Sequence, residues 1–487
     1  ISFDLENMHD DDENIRLTDD QQYVSDKFKA FIKNNQQKVF ILNGHAGTGK
    51  TTLIRFFINE LRDRKLNYNL MASTGRAAKI LTNITGTPAS TVHSIIYSLE
   101  GFNQDIEEIA REEDETGVDE TGQLVLIFGL TPKSPSKEQY FYIVDEASMI
   151  ADVEDKNPTQ ARFGDGKLLS NLLKYDPEGK FIFVGDECQL PPVGQEISPA
   201  LSPDYFRQTF DLDVVECRLT RIMRQQADNS IIQAAQQLRN LYANPPKVKW
   251  GKLPLGNHKH IRLYLDFKSM KDSYLATILG RVYEKSTFIS STNRKCYESN
   301  KMLRESLGFR GPLQPGDLLL VTQNNLISGL LNGDLVVVEQ VRGVRHHKAG
   351  LSFLQVEVRE LVTERRVSQL LIEDILYSRM PNLTQIEQKA LFIDFYRRMK
   401  DLGIKQEDPR FNEQLRTDVF LNALRCVFGY TLTCHKAQGG EWDEVFLDIA
   451  RNLMLEAQPA AYQWAYTAVT RAKKQLHIVD DFYIEKD

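Results

Sequence analysis

The sequence predicts an α/β protein with two halves, each built on a parallel sheet, and four stretches support this. Residues 37–55 place a glycine-rich loop between an apolar run and a helical pattern. Residues 141–146 and 180–184 are apolar runs that end in polar residues, and residues 428–441 show the same pattern near the end of the chain. Strands that alternate with helices favour parallel sheets. We therefore expect two α/β domains joined in one chain.

Bulk properties are compatible with this fold. The chain has 487 residues, enough for about three or four domains. Hydrophobic residues make up 41% and charged residues 26%, which is ordinary for a globular protein. The net charge of −7 argues against a basic coat over the whole surface. It permits a local basic channel, because steering depends on where the charges lie.

Five cysteines are present, and no two of them form a C-x-x-C pair. This argues against a zinc knuckle and against a disulfide framework, and it favours a reduced compartment. The sequence shows neither an apolar run of membrane-spanning length nor the apolar region of a signal peptide. We therefore expect a cytoplasmic protein with no membrane association.

The most informative stretch has the pattern G-x-x-x-x-G-K-T between a strand and a helix, which is typical of a phosphate-binding P-loop. Glycines let backbone N–H groups curl around phosphate oxygens, and the helix N-terminus favours negative charge. Lysine in this position reaches the β- and γ-phosphates, and the threonine hydroxyl after it can bind Mg²⁺. The candidate nucleotide-binding residues here are Gly44, Ala46, Gly47, Thr48, Gly49, Lys50, Thr51 and Thr52.

An acidic tail, 1–16, precedes a predicted helix with Thr18 as its N-cap. Gln21 lies in the first turn of that helix. A glutamine just before a P-loop can bind the edge of an adenine base. The alternative is a solvated glutamine with no such contact, and spacing alone does not separate the two.

Two strand-to-helix junctions follow the P-loop. Thr74 and Arg76 come after a predicted strand at 69–73, and His93 lies in a Ser-Thr-Val-His-Ser run. Hydroxyls, a glycine and a cation at such a junction suit the backbone phosphates of a nucleic acid. An ordinary helix start would use the same residues, so both interpretations stay open.

Residues 101–120 are mostly acidic and lack a clear apolar face, so we expect a solvated insertion there. The apolar run 124–130 follows. We expect it to pair with 140–144 as a hairpin that protrudes beside the first sheet.

An apolar strand ends at Asp145 and Glu146, and this arrangement suits a Walker B site. Asp145 can hold Mg²⁺, and Glu146 can orient or deprotonate the attacking water. Paired acids after a strand are also common as surface turns. After the next predicted strand, Gln189 is a candidate sensor of the γ-phosphate in a loop stiffened by two prolines. Three arginines lie within 218–225, where solvated arginines are the ordinary alternative to a phosphate contact.

The second half begins with a predicted strand at 286–291, followed by Thr292 and Asn293. Short alternating strands separated by turns then predict a small barrel. Their ranges are 317–322, 334–341, 351–361 and 366–372. Residues 382–423 are predicted to be helical, with a core face formed by Leu391, Phe392, Phe395 and Met399.

Taken together, the motifs resemble those of superfamily 1 helicases, above all the group that includes RecD and the phage Dda helicase. They occur in that family's order, from residue 17 to 473, as LTDDQ, GHAGTGKT, ASTGRAA, STVHS, VDEASM, GDECQLPPV, RIMRQ, TCHKAQGGEW and YTAVTRAK. The resemblance implies two RecA-like motor domains that share ATP and Mg²⁺ at their interface. It also implies 5′-to-3′ movement on single-stranded DNA and unwinding of duplex at junctions.

The resemblance assigns roles residue by residue. Gln21 would contact adenine, and Lys50, Asp145, Glu146 and Gln189 would act in hydrolysis, with Thr51 and Asp145 at the metal. Arg224 and Arg471 would be arginine fingers, and Gln438 and Glu441 would link nucleotide to DNA. The implied DNA-binding residues are Thr74, Arg76, His93, Thr292, Asn293, Thr433 and His435.

The implied domains follow the same motifs. The first motor domain would comprise 17–100 and 139–222, interrupted by an insertion at 101–138 that carries a strand-splitting pin hairpin. The second motor domain would comprise 223–316 and 424–487, interrupted at 317–423 by an SH3-like β-barrel with a helical extension.

Other functions use the same phosphate chemistry. One is an ATP-driven translocase or remodeller that does not open duplex. Another is a motor subunit of a DNA-repair or recombination nuclease complex. A nucleotide-gated binding module is disfavoured, because Glu146, Arg224 and Arg471 are all present. A nuclease is disfavoured because no further acidic or histidine cluster has metal-site spacing. We expect a monomeric motor that binds single-stranded DNA and its junctions with duplex.

Overall fold

The computed structural model describes residues 17–116, 124–131, 133, 138–155, 161–222, 229–248, 250–454 and 458–486, without the side chains of 112–116. The acidic tail at 1–16, the segment 117–123 and Arg224 lie outside the described residues.

The strands are β1 (Val39–Gly44), β2 (Asn67–Ala72), β3 (Ala89–Thr91), β4 (Tyr97–Phe102), β5 (Leu126–Leu130), β6 (Tyr140–Asp145), β7 (Ala161–Phe163), β8 (Lys180–Gly185), β9 (Val214–Leu219), β10 (Ile261–Tyr264), β11 (Ser286–Ser290), β12 (Leu318–Val321), β13 (Leu335–Lys348), β14 (Leu351–Glu360), β15 (Arg366–Ile372), β16 (Cys426–Phe428), β17 (Thr431–Thr433), β18 (Trp442–Asp448) and β19 (Ala472–Val479). The helices are α1 (Asp19–Lys33), α2 (Lys50–Asp63), α3 (Gly75–Thr85), α4 (Val92–Ile96), α5 (Ile106–Thr116), α6 (Leu168–Tyr175), α7 (Pro203–Phe210), α8 (Ser230–Ala243), α9 (Phe267–Ile278), α10 (Asn293–Ser306), α11 (Glu373–Tyr377), α12 (Gln385–Asp401), α13 (Pro409–Thr417), α14 (Cys434–Ala437) and α15 (Pro459–Val469).

The first RecA-like domain is a six-stranded parallel sheet in the order β3-β2-β6-β8-β1-β9. Alternate residues of a strand face opposite sides. Phe40 and Leu42 of β1 accordingly join one core cluster, together with Phe28 of α1 and Phe57 of α2, and Ile41 joins the cluster on the other face. Helices cover both faces, and this explains why β1 is one continuous apolar run.

The second RecA-like domain is a five-stranded parallel sheet in the order β10-β19-β18-β11-β17. Helix α8 packs on α15 in this domain. The prediction of two α/β domains with parallel sheets is confirmed. Helix α15 ends at Val469 and the final strand begins at Ala472, so Arg471 lies in the short turn between them.

The β-rich stretch forms a five-stranded antiparallel sheet in the order β15-β14-β13-β12-β16. Its two edges approach each other, because Leu371 at the end of β15 bridges to Leu424, just before β16. The sheet therefore curls toward a barrel. Residues 426–428 belong to it, although the sequence placed them in the second motor domain, since β16 pairs with β12.

The predicted hairpin has a different partner strand. Strand β5 pairs antiparallel with β4 and parallel with β7, forming a small three-stranded sheet. Strand β6 lies instead in the core of the first motor sheet, between β2 and β8. The expected pairing of 124–130 with 140–144 is therefore wrong, and the hairpin begins at 97, within the range predicted to be motor domain.

The solvated insertion expected at 101–120 is also wrong where the chain is described. Helix α5 buries Ile106, Ile109 and Ala110. They join Leu391 and Phe392 of α12 in one cluster, which we call the shared core. Further members are Leu99, Leu124, Phe353, Phe395, Met399, Phe411 and Leu415.

The shared core joins an insertion of the first half to the barrel and helical extension of the second. The ring of Phe102 lies 4.9 Å from that of Phe392 and 6.3 Å from that of Phe411. The backbone N–H of Ile106 donates to Gln406 Oε1 at 3.2 Å. Among the residues that the structure describes, no helix is both long and apolar enough to span a bilayer.

Candidate functional site

The P-loop lies between β1 and α2, where the carboxyl edge of the first sheet meets the second domain. Gly47 and Gly49 have φ of 78° and 83°, a conformation that favours glycine. A Cβ added to Gly44 would lie 2.9 Å from both Thr48 Oγ1 and Lys50 Cγ. Lys50 Nζ donates to the carbonyl oxygens of Gly44 at 2.8 Å and His45 at 3.2 Å. The loop is therefore tightly wrapped around its own lysine.

Gln21 is fully buried and belongs to a capping box at the start of α1. Thr18 N–H donates to Gln21 Oε1 at 3.0 Å, and Gln21 Nε2 donates to the carbonyl oxygen of Thr48 at 3.3 Å. The alternative of a solvated glutamine is wrong. The side chain of Gln21 contacts the P-loop, and its contact with adenine stays a prediction.

Asp145 is the last residue of β6 and Glu146 follows it, one strand away from the P-loop strand because β8 lies between β6 and β1. Glu146 has φ of 50°, a left-handed conformation that costs a non-glycine residue about 1–3 kcal/mol. Its N–H donates to Asp145 Oδ1 at 2.9 Å. Burial, with the charge of Glu146, raises the pKa of Asp145 to about 7, and Lys50 opposes that rise. A nearby cation would stabilise the charged form of this buried carboxyl group.

The loop after β8 is held by the second domain. Gln463 Nε2 donates to the carbonyl oxygen of Gln189 at 3.0 Å, and Gln438 Nε2 donates to that of Leu190 at 3.0 Å. Leu190 N–H donates to Thr467 Oγ1 at 2.9 Å. The side-chain oxygens of Gln189 and Gln438 are buried without a hydrogen-bond partner among the described residues. This loop therefore forms a clasp across the cleft.

Arg471 is buried at the end of α15 and bonds within its own domain. It donates to the carbonyl oxygens of Thr467 at 3.0 Å and Gly440 at 3.2 Å. Glu441 is exposed.

Arg239 on α8, which the sequence did not single out, lines a narrow space together with His45 and Ala46 of the P-loop.

Tyr466 was also missed, because a tyrosine in an apolar helix is typical of a core. Its hydroxyl accepts the backbone N–H of Ala46 at 3.3 Å and donates to Asp186 Oδ2 at 2.5 Å. His45 Nδ1 lies 3.5 Å from Asp186 Oδ1, and Cys188 N–H donates to that oxygen at 3.0 Å. His45 and Tyr466 hold the pKa of Asp186 below its ordinary value despite burial.

The geometry fits a magnesium-bound nucleoside triphosphate. The glycines let the loop wrap phosphates, Lys50 is the cation at the helix start, and the orphaned amide oxygen of Gln189 can orient a water. Thr51 and Asp145 are oxygen donors of the kind that Mg²⁺ prefers.

Three predicted nucleic-acid contacts share one local structure. Thr74, Thr292 and Thr433 each follow a parallel strand and cap the next helix, with Oγ1 accepting a backbone N–H at 3.2–3.3 Å. Ser290 of β11 pairs with Thr433 of β17, so two of these helix starts are neighbours. Helix starts favour anions such as phosphates.

Arg76 and His93 are placed differently. Arg76 is buried, with its guanidinium 4.3 Å from the ring of Trp442 in the second domain, and burial lowers its pKa to about 10. The buried position of Arg76 does not support its predicted contact with DNA. The half-buried ring of His93 lies 5.2 Å from Phe163. Burial lowers its pKa to about 4, so it is neutral at pH 7.

Known protein families match parts of both halves of the chain. Residues 28–195 match the AAA domain, and residues 428–479 match the UvrD-like helicase C-terminal domain. The chain is 25% identical over 472 residues to the ATP-dependent RecD2 DNA helicase of Deinococcus radiodurans, covering 94% of this chain and 48% of that protein. It is 30% identical over 234 residues to the ATP-dependent DNA helicase dda of Enterobacteria phage T4, covering 48% of this chain and 44% of that protein.

Both relatives are helicases of the RecD and Dda group that the motifs of this chain resemble. The resemblance drawn from its motifs is confirmed. A solved structure of Pif1 helicase from Bacteroides, in complex with ADP-AlF3 and ssDNA, has a TM-score of 0.48 at 16% identity and covers 96% of this chain and 93% of that one. The chain spans about half the length of the RecD2 protein that it matches.

The chain also has a groove that the sequence did not indicate. It lies between α10 and the barrel, with a volume of about 710 Å³. Asn293 and Thr433 line one part of it. Its other cationic and aromatic lining residues are Tyr297, Lys301, Arg304, Phe309, Arg310, Tyr377, Arg379, Phe428 and Lys436. His435, also predicted at the DNA, is exposed close by on α14.

Proposed function

We propose that this chain is an ATP-dependent DNA helicase that hydrolyses ATP with Mg²⁺ in the cleft between its two motor domains. It moves 5′ to 3′ on single-stranded DNA and opens duplex at the junction. The observation that carries this proposal is the clasp, in which α15 of the second domain holds the loop after β8 beside the P-loop. A cleft closed by such contacts can convert a change at the nucleotide into movement between domains.

In this proposal, different residues bind the nucleotide, activate the water and hold the metal. Lys50 and the loop N–H groups bind the phosphates, and Gln21 contacts the base. Glu146 orients or deprotonates the attacking water, and Gln189 contributes its unpartnered oxygen. Bound Mg²⁺ supplies positive charge that stabilises the transferring phosphoryl group, and Thr51 and Asp145 would hold it. Arg471, Arg224 and Arg239 are the candidate cations from the second domain.

DNA binding follows from the helix starts and the groove. Thr74, Thr292 and Thr433 offer capped N-termini for backbone phosphates. The basic and aromatic lining of the groove suits phosphates and stacked bases without sequence preference. The β4–β5 hairpin is the candidate pin. Since all five cysteines are unpaired thiols, we place this activity in a reducing compartment such as the cytoplasm.

The test is ATP hydrolysis and strand separation with duplexes that carry either a 5′ or a 3′ single-stranded tail. We expect hydrolysis to rise with single-stranded DNA and unwinding to occur from 5′ tails only. Glu146→Gln is the matched control, because it keeps nucleotide binding while removing the base. Unwinding from 3′ tails only would refute the polarity. Movement that strips a bound protein but never opens duplex would favour a translocase.

A further inference from the structure

The hydroxyl of Tyr466 lies between two groups of the first domain, although the residue belongs to the second. It accepts the backbone N–H of Ala46 at 3.3 Å and donates to Asp186 Oδ2 at 2.5 Å. Tyr466 is 2% exposed and Asp186 is 1% exposed. A buried hydroxyl with both a donor and an acceptor satisfied is a fixed contact rather than a passing one.

The N–H of Ala46 belongs to the P-loop, whose backbone N–H groups are the anion-binding groups of this motif. In the arrangement described, one of them is already used by a neutral oxygen from the opposite domain. A backbone N–H has one hydrogen to donate. Tyr466 must therefore release Ala46 before that N–H can bind a phosphate oxygen.

Helix α15 links this contact to the rest of the cleft. Gln463 and Thr467, on the same helix, hold the loop after β8, and Arg471 follows the helix end. Displacing the Tyr466 hydroxyl therefore acts on the same helix that holds this loop.

We propose that Tyr466 is a positioning residue whose hydroxyl occupies the Ala46 amide and the Asp186 carboxylate and yields them when a nucleoside triphosphate binds. The inference rests on the proposed function. Tyr466 opposes nucleotide binding and ties it to movement of α15. Loss of the hydroxyl frees the amide beforehand, so nucleotide binds more tightly and with less dependence on domain movement.

The test is Tyr466→Phe, which removes the hydroxyl and keeps the ring. The probe is a fluorescent methylanthraniloyl derivative of a non-hydrolysable ATP analogue, titrated with Mg²⁺ and without DNA. We expect the Kd to fall about tenfold, which corresponds to about 1.4 kcal/mol. An unchanged or higher Kd would overturn the proposal. The KM for ATP without DNA should fall by the same factor.

Two controls separate this role from a structural one. Tyr274→Phe also removes a hydrogen-bonded hydroxyl from a fully buried tyrosine, since Tyr274 donates to the carbonyl oxygen of Tyr430 at 2.8 Å. That variant should leave the Kd unchanged. Thr467→Val loosens the clasp without touching the P-loop. If it tightens binding as much as Tyr466→Phe does, the effect belongs to the interface in general and the proposal fails.

A failure of the proposed function would give a different result in the same binding assay. If the wild-type protein does not bind the probe, or if Lys50→Ala binds it equally well, the nucleotide site itself is wrong. Thermal unfolding of each variant checks that the fold is kept. A Tyr466→Phe protein that melts with the wild type and binds no more tightly rejects only the role of the hydroxyl.

Discussion

Replacing Asp145 by asparagine should stabilise the nucleotide-free protein at pH 8 while abolishing magnesium-dependent hydrolysis. Burial and the neighbouring Glu146 raise the pKa of the Asp145 carboxyl to about 7. An unfolded aspartate has a pKa of about 3.9. Between these values the folded state binds more protons than the unfolded state, so the free energy of unfolding falls as the pH rises.

The magnitude follows from the same two values. They differ by about 3 pH units, and each unit corresponds to about 1.36 kcal/mol, which gives at most about 4 kcal/mol above pH 7. Asparagine is uncharged and does not incur this penalty. Its side-chain oxygen can still accept the Glu146 N–H that now donates to Asp145 at 2.9 Å. Below about pH 4 the carboxyl is protonated in both states, so the two proteins should be equally stable there.

The assay is urea unfolding of both proteins in EDTA between pH 4 and pH 8. We expect the difference in free energy of unfolding between the wild type and Asp145→Asn to increase from pH 4 to pH 7 and to stay constant above pH 7. Asp176→Asn is the matched control in the same domain, because Asp176 is paired with Lys133 at 2.7 Å and should lose stability on neutralisation. A pH-independent difference, or a less stable Asp145→Asn protein at pH 8, would refute the reasoning.

Three further outcomes are expected. Lys50→Ala should lose ATP hydrolysis with little change in melting temperature, and full turnover would reject the P-loop assignment. Phe392→Ala removes a ring from the shared core and should lower stability by about 3 kcal/mol, seen as a lower melting temperature, with unwinding lost more than hydrolysis. Lys301→Glu and Arg310→Glu, in the groove beside α10, should each weaken single-stranded DNA binding at low salt. Each should also reduce the salt slope in anisotropy titrations by about 1, and an unchanged slope would mean that the groove holds no DNA.

Local chemistry made the motor half of the fold predictable. The P-loop, the acids after β6 and the capping threonines are each defined by residues within about ten positions, where spacing and turn chemistry decide the structure. Gln21 shows the limit, because its capping box was within reach of the sequence but its contact with Thr48, 27 positions away, was not.

The structure of the insertions could not be predicted from the sequence, because their contacts join residues that lie far apart in the chain. Helix α5 offers only a short apolar face, Ile106, Ile109 and Ala110, which looks solvated without a partner. Its partner is α12, and the contact between Ile106 and Gln406 spans 300 positions. Strand β5 was assigned to the nearest strand in the sequence, whereas it pairs with β4. The residues of β5 and its neighbours in the sequence do not show whether it pairs with β4 or with β6.

Among the contacts between the two halves, the clasp and the shared core differ in the cost of separation. In the clasp, Gln438 and Gln463 donate hydrogen bonds to one loop and Thr467 accepts one from it, and each is worth only about 1 kcal/mol net because water can replace it. The shared core buries large rings such as Phe392 and Phe395, and exposing them costs about 25 cal/mol for each Å². Movement between the halves should therefore open the clasp and leave the shared core closed. The β4–β5 hairpin is held on both sides, because Tyr97 packs in the core of the first sheet and Leu99 in the shared core, so opening the cleft should strain the hairpin.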